Sequence, residues 1–163
     1  MTDIAQYRAS APVGVLEYRC LEIDHPTFDA PLRIYTPGYE PLLVTLEGGG
    51  AATFTPVAFR TSPPASDDSG RISRGLQIDG VDGSLMRALL PASQSDDPIT
   101  ATMRIYLSTN LSRPQFDPPE VLSLTNININ KLQVSAQAEN EDVINKRFPS
   151  AIHTTDNTPG LRR

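Results

Sequence analysis

Hydrophobic and polar residues alternate most regularly from Ile99 to Leu107. Ile99, Ala101, Met103, Ile105 and Leu107 share one parity there, and Thr100, Thr102, Arg104 and Tyr106 the other. Successive side chains of a strand point to opposite faces, so this pattern predicts a half-buried strand with one solvated face. Arg71 to Asp79 is similar: Ile72, Leu76 and Ile78 share a face on which Arg74 is the exception. Leu42, Val44 and Leu46 predict a short strand that ends at the turn Gly48-Gly49-Gly50. Between Val13 and Asp24 both faces are partly apolar, with Val13, Val15, Leu21 and Ile23 set against Leu16, Tyr18 and Cys20. That suits a central strand, or one covered by a neighbouring layer.

Two stretches change parity midway. In Ala52 to Thr61, Phe54 and Phe59 fall on opposite parities with Pro56 between them, which predicts a bulge or an edge position. From Val121 to Asn140 the apolar positions run even (Leu122, Leu124), then odd (Ile127, Ile129), then even again (Leu132, Val134, Ala136, Ala138). A one-residue slip turns every side chain to the other face, so each switch requires a bulge or a turn. The simplest reading is two strands broken near Asn130-Lys131. Helical spacing is convincing only at Val81, Leu85 and Leu89, with Asp82 as N-cap and Pro91 as the stop, which predicts a short helix over about 82–90. Ser62 to Gly70 and Pro91 to Pro98 are rich in Pro, Ser and Asp and read as loops. The 15 prolines, spread along the chain, leave little room for longer helices. About seven strands and one short helix predict a mainly β fold, a β-sandwich or distorted barrel, in a single domain over 1–163 with 1–12 as an N-terminal arm.

Composition narrows the function classes. An apolar content of 39% and a net charge of −5 fit a soluble globular protein, and no apolar run approaches the length of a membrane span. The 14 Lys and Arg residues are scattered, with a local cluster only at Arg162-Arg163, so no sequence-specific nucleic-acid partner is expected. Met1 to Gln6 has neither the basic nor the apolar region of a secretory leader, and the lone Cys20 excludes an intrachain disulfide, so a reducing cytosol is expected.

Catalysis requires a positioned nucleophile, base or metal. His25 and His153 are far apart in sequence, and Cys20 sits among strand apolar residues, where cysteine behaves as a small hydrophobe. Asp79-Gly80-Val81-Asp82-Gly83 lacks the spacing and the closing glutamate of a calcium loop, and a strand-to-helix turn explains it. Gly48-Gly49-Gly50 is not followed by the Gly-Lys-Ser/Thr of a phosphate loop. Asn110-Leu111-Ser112 is a glycosylation sequon without a secretory context. Asp67-Asp68 and Asp96-Asp97 read as solvated loop charge. No cofactor, no metal and no enzymatic activity are expected.

Several segments, taken in order, resemble a family of long-tailed phage tail-tip and minor tail proteins built on a domain of unknown function. Leu16-Glu17-Tyr18-Arg19-Cys20-Leu21-Glu22-Ile23-Asp24-His25, with Thr27-Phe28 and Leu32-Arg33-Ile34, is similar to its opening. Leu76 to Asp82 is similar to its strand-to-helix segment, and Ile99 to Ser108 to its strongest strand. Asn145-Lys146-Arg147-Phe148-Pro149 and Pro159-Gly160-Leu161 look like its closing signature, although Thr158 stands where an aromatic is expected. The resemblance implies a tube-like β fold in a virion protein at the tail tip, assembled in the host cytoplasm as a ring or adaptor between the tail tube and a central hub or fibre. Its implied partners are other tail proteins (tube, distal ring, hub or fibre) and further copies of itself, without membrane insertion. It also implies an extended C-terminal segment, 148–163, whose Phe148, Pro149, Pro159, Gly160 and Leu161 either pack on their own domain or reach a neighbouring subunit as assembly contacts. A tail-assembly factor and a small ligand-binding β module are the competing readings.

Overall fold

The structure, a computed structural model, describes residues 4–63, 65–66, 72–79, 83–92, 95, 97–130 and 133–140. In chain order the elements are α1 (Ile4–Ser10), β1 (Glu17–Asp24), β2 (Leu32–Thr36), β3 (Leu42–Thr45), β4 (Ala51–Pro56), β5 (Phe59–Thr61), β6 (Ala65–Ser66) and β7 (Ile72–Asp79). They continue with α2 (Gly83–Ala92), β8 (Ile99–Leu107), β9 (Glu120–Asn130) and β10 (Gln133–Glu139). The fold is mainly β, as the alternation predicts. The strands form one hydrogen-bonded sheet rather than two, in the order β3-β4-β2-β1-β8-β9-β10-β7-β5, with β6 also on β7. Neighbours are antiparallel except β2 and β4, which run parallel through Ile34↔Thr55 and Tyr35↔Pro56.

The sheet does not close on itself, yet one segment touches both of its sides. β4 pairs with β2, and three residues after Pro56 the same chain starts pairing with β7, Phe59 opposite Ile78. Between the two strands the Val57 N–H donates to the Tyr35 carbonyl (3.1 Å) and the Asp79 N–H to the Ala58 carbonyl (2.9 Å). This bridge curls the sheet around a main core drawn from β1, β2, β5, β7, β8, β9 and β10 and covered by Leu89 and Ala92 of α2. A second core lies on the opposite face of β1, β2 and β8, where the β3–β4 hairpin folds over Cys20, Tyr35 and Tyr106. The parity change at Pro56 now has its cause: Phe54 fills the second core and Phe59 the first.

The same division corrects the reading of β8. Ile99 and Ala101 are buried in the main core, but Arg104 and Tyr106, expected on a solvated face, are buried as well. β1 is central between β2 and β8, with Leu21 and Ile23 in one core and Cys20 in the other. It begins at Glu17 and not at Val13, which is fully exposed just before Gly14 at φ +86°. The N-terminal arm contains a helix that the periodicity did not reveal. Pro91 does not stop α2 but lies within its last turn, where little helical backbone remains to be disrupted and Ala92 still packs on the core. The parity change in β9 is met by a bulge: Asn126 has φ +52°, and the register with β10 shifts between Ser135 and Gln137. Leu122, Leu124, Ile127 and Ile129 thereby all reach the main core.

Candidate functional site

The charged centre of the second core is Arg104. It is 5% exposed and held by two carboxylates. Its Nε and Nη2 donate to the two oxygens of Glu47, both at 2.8 Å, and Nη1 and Nη2 lie 3.4 Å from Glu22 Oε1. Arg33 Nε donates to the other Glu22 oxygen at 2.5 Å. Burial works against the Arg104 charge, but the hydrogen bonds to Glu47 and the charges of Glu22 and Glu47 raise its pKa. In return the Arg104 hydrogen bonds hold Glu47 at about 2. Burial pushes the Cys20 thiol up to about 12 despite the nearby guanidinium, and burial likewise raises Tyr106 to about 12. The Tyr106 hydroxyl donates to the Thr45 carbonyl at 2.8 Å, tying β8 to the hairpin above it. A protonated thiol under a fully paired arginine is a structural arrangement, not a nucleophilic one.

Of the other residues weighed for chemistry, His25 and Asp79 are engaged in the same way, whereas His153, Asp82, Asp67-Asp68 and Asp96 lie outside the described residues. His25 is buried, with Nδ1 2.7 Å from Thr27 Oγ1 and Nε2 3.3 Å from the Asp97 carbonyl oxygen, and it does not pair with Cys20. The Asp79 carboxylate accepts from Gln133 (2.7 Å), Gln77 (3.2 Å) and Arg60 (3.5 Å), and the two glutamine bonds lower its pKa. Among the described residues no cluster of three His, Cys, Asp or Glu could hold a metal, and no helix is long and apolar enough to cross a membrane.

Two of the depressions lined by described residues stand out for their apolar walls. One lies at the end of the curled sheet away from α2 and forms its mouth, a recess of about 390 Å³ lined by Arg8, Arg74, Met103, Ile105, Phe116, Pro118 and Glu120. Strand alternation explains the lining. Arg74 shares its face of β7 with the buried Leu76 and Ile78, and Glu120 shares its face of β9 with Leu122 and Leu124, so both charges point inward. They pair at 2.8 Å, with side chains 23% and 40% exposed. Arg74 Nε is buried without an acceptor among the described residues. The Gln115 N–H donates to the Ile105 carbonyl (2.8 Å) and holds the Phe116–Pro118 loop over the rim.

The second depression, about 470 Å³, is a shallow aromatic groove between Leu16, Tyr18, Tyr35, Pro37, Gly38, Tyr39 and Glu40. Tyr18 and Tyr35 meet edge to face at 5.8 Å, and the buried Tyr35 hydroxyl donates to the Glu40 carbonyl. Tyr39 is 99% exposed, and Leu16 is exposed beside it. Sequence reasoning missed both depressions, although Arg74 stood out as a charge on an apolar face. The expected contacts Phe148, Pro149, Pro159, Gly160 and Leu161 lie outside the described residues.

No curated protein matches this chain. A family does, over residues 3–153: it is described as a domain of unknown function, DUF1833. The matched span takes in the mouth, the groove and Phe148-Pro149, and it ends before Pro159-Gly160-Leu161. With all but the two ends of the chain matched, the protein belongs to the DUF1833 family.

Proposed function

We propose that the protein is a structural component of the tail tip of a long-tailed phage, a ring or adaptor subunit between the tail tube and a central hub or fibre. The order and spacing of segments from Leu16 to Leu161 support the phage assignment. Support from the geometry for a role in assembly rests on one observation, the aromatic groove bordered by the exposed Tyr39 and Leu16. Clustered exposed apolar side chains of this kind mark protein-binding surfaces. The polar functional groups of the second core are consumed in holding the hairpin, which favours a reading built on contact surfaces.

Mass spectrometry of purified particles tests the proposal. The protein should be present in a fixed ratio to the tail-tube subunit and should localise to the tip by cryo-electron microscopy. Presence in assembling cells but absence from finished particles would instead make it an assembly factor. Absence of any association with tails would overturn the reading.

A further inference from the structure

The aromatic groove is built on a fixed corner and carries one unbalanced charge. Tyr18 of β1 and the buried Tyr35 of β2 meet with their ring planes 78° apart, which makes the two walls of the corner. The loop after β2 is held against it. The Tyr35 hydroxyl donates to the Glu40 carbonyl, and Gly38 lies so close to the Tyr35 ring that any side chain there would overlap it. These contacts set Tyr39 and Glu40 on the rim, where both are exposed. Among the described residues, neither the Tyr39 hydroxyl nor the Glu40 carboxylate has a hydrogen-bond or ion-pair partner. No Lys, Arg or His lines the groove. The arginines of the same two strands are committed elsewhere, Arg19 to Glu17 and Arg33 to Glu22.

We infer that the groove takes the guanidinium of an arginine side chain presented by a partner protein, stacked on Tyr39 and paired with the Glu40 carboxylate. The inference rests on the reading of this groove as a protein contact. An aromatic face and a carboxylate both attract a cation, so a groove that has both, and no cation of its own, is complementary to positive charge. Shape then selects the kind of cation. A guanidinium is planar and weakly hydrated, so it can lie on one open ring while its edge donates two parallel N–H bonds to a carboxylate. A lysine ammonium is compact and strongly hydrated and gives up more water in the same place. A quaternary ammonium gains most inside a cage of rings, which a shallow groove does not form. The apolar stem of an arginine covers Leu16 and Pro37 at no cost to its charged end. With the loop already held on Tyr35, little ordering is left to oppose binding.

The test uses the full chain in solution with its five tyrosines labelled on the ring, away from any particle, so this inference and the tail-tip proposal can fail separately. The probe is the peptide acetyl-Gly-Arg-Gly-amide, and Tyr39→Phe identifies the Tyr39 signal by its loss. Titration should shift the Tyr39 and Tyr18 signals saturably, and added salt should weaken the binding. The lysine peptide should bind severalfold more weakly, and the citrulline peptide, which keeps the shape without the charge, more weakly still. Followed on Tyr18, Tyr39→Phe should retain the affinity, whereas Tyr39→Leu and Glu40→Gln should each lose it severalfold. The absence of a saturable shift would overturn the inference, as would equal binding of the arginine and citrulline peptides. Equal binding of the lysine peptide would show a merely negative surface and overturn the choice of guanidinium. Affinity unchanged in both Tyr39→Leu and Glu40→Gln would place the peptide elsewhere and overturn the site.

Discussion

At the residue scale the fold turns on Arg104, because removing one member of a buried charge network strands its partners. Arg104→Met should destabilise the protein by about 3 kcal/mol in urea denaturation, the low end for a broken buried pair, since Glu47 and Glu22 keep some contact with water. Glu47 sets a pH dependence whose sign follows from its depressed pKa. Its carboxyl is held at about 2 against an ordinary 4.5, so between these values the folded state binds fewer protons than the unfolded state. The contribution is complete above pH 4.5 and is lost as the pH falls towards 2. The urea midpoint of Glu47→Gln should accordingly decline less steeply than that of the wild type over this window, and parallel declines would show that the pair contributes nothing. Cys20 offers a separate check. With its thiol at about 12 and its side chain buried, it should resist alkylation at neutral pH in the native protein and react readily once urea unfolds the chain.

At the element scale the bulge in β9 is the most informative feature. The even-to-odd switch between Leu124 and Ile127 required an extra residue, and Asn126 supplies it in the left-handed region that asparagine tolerates better than most residues. Asn126→Gly should change stability little. Asn126→Val should lower it by about 1–2 kcal/mol, measured by thermal or urea denaturation, because a β-branched residue is strained there. Strands with one dominant periodicity, such as β8, were legible in the sequence because the pleat alone dictates their pattern. The burial of Arg104 and Tyr106 was not, since it depends on a hairpin more than fifty residues away in sequence and polar side chains carry no local mark of being covered. α1 was hidden for a related reason: it is seven residues long and buries only Ile4. The mouth was half legible. Arg74 broke an apolar face, but Glu120 follows Pro118-Pro119 and reads as loop until the register of β9 turns it inward.

At the scale of the whole molecule, the proposed assembly role turns on which surfaces the fold leaves unsatisfied. One end of the sheet is β3, whose Thr45 N–H points away from β4 and donates to the Leu111 carbonyl at 2.9 Å. Backbone groups repeat their direction every second residue along a strand, so those of Leu43 face outward too, with no backbone partner beyond the hairpin among the described residues. Leu43 is itself exposed, so this edge offers an incoming strand both hydrogen bonds and an apolar side chain. The aromatic groove offers no free edge and suits the insertion of side chains instead. Two surfaces of different kinds fit a subunit with different neighbours better than one that only pairs with itself, and this separates them experimentally. Leu43→Lys and Tyr39→Ser should each leave folding stability within about 0.5 kcal/mol of wild type, because both side chains are solvent-exposed. Under the tail-tip proposal each should nevertheless reduce incorporation into particles, and cross-linking should show each variant losing contact with a different neighbour. Wild-type incorporation of both variants would exclude these surfaces as the assembly contacts.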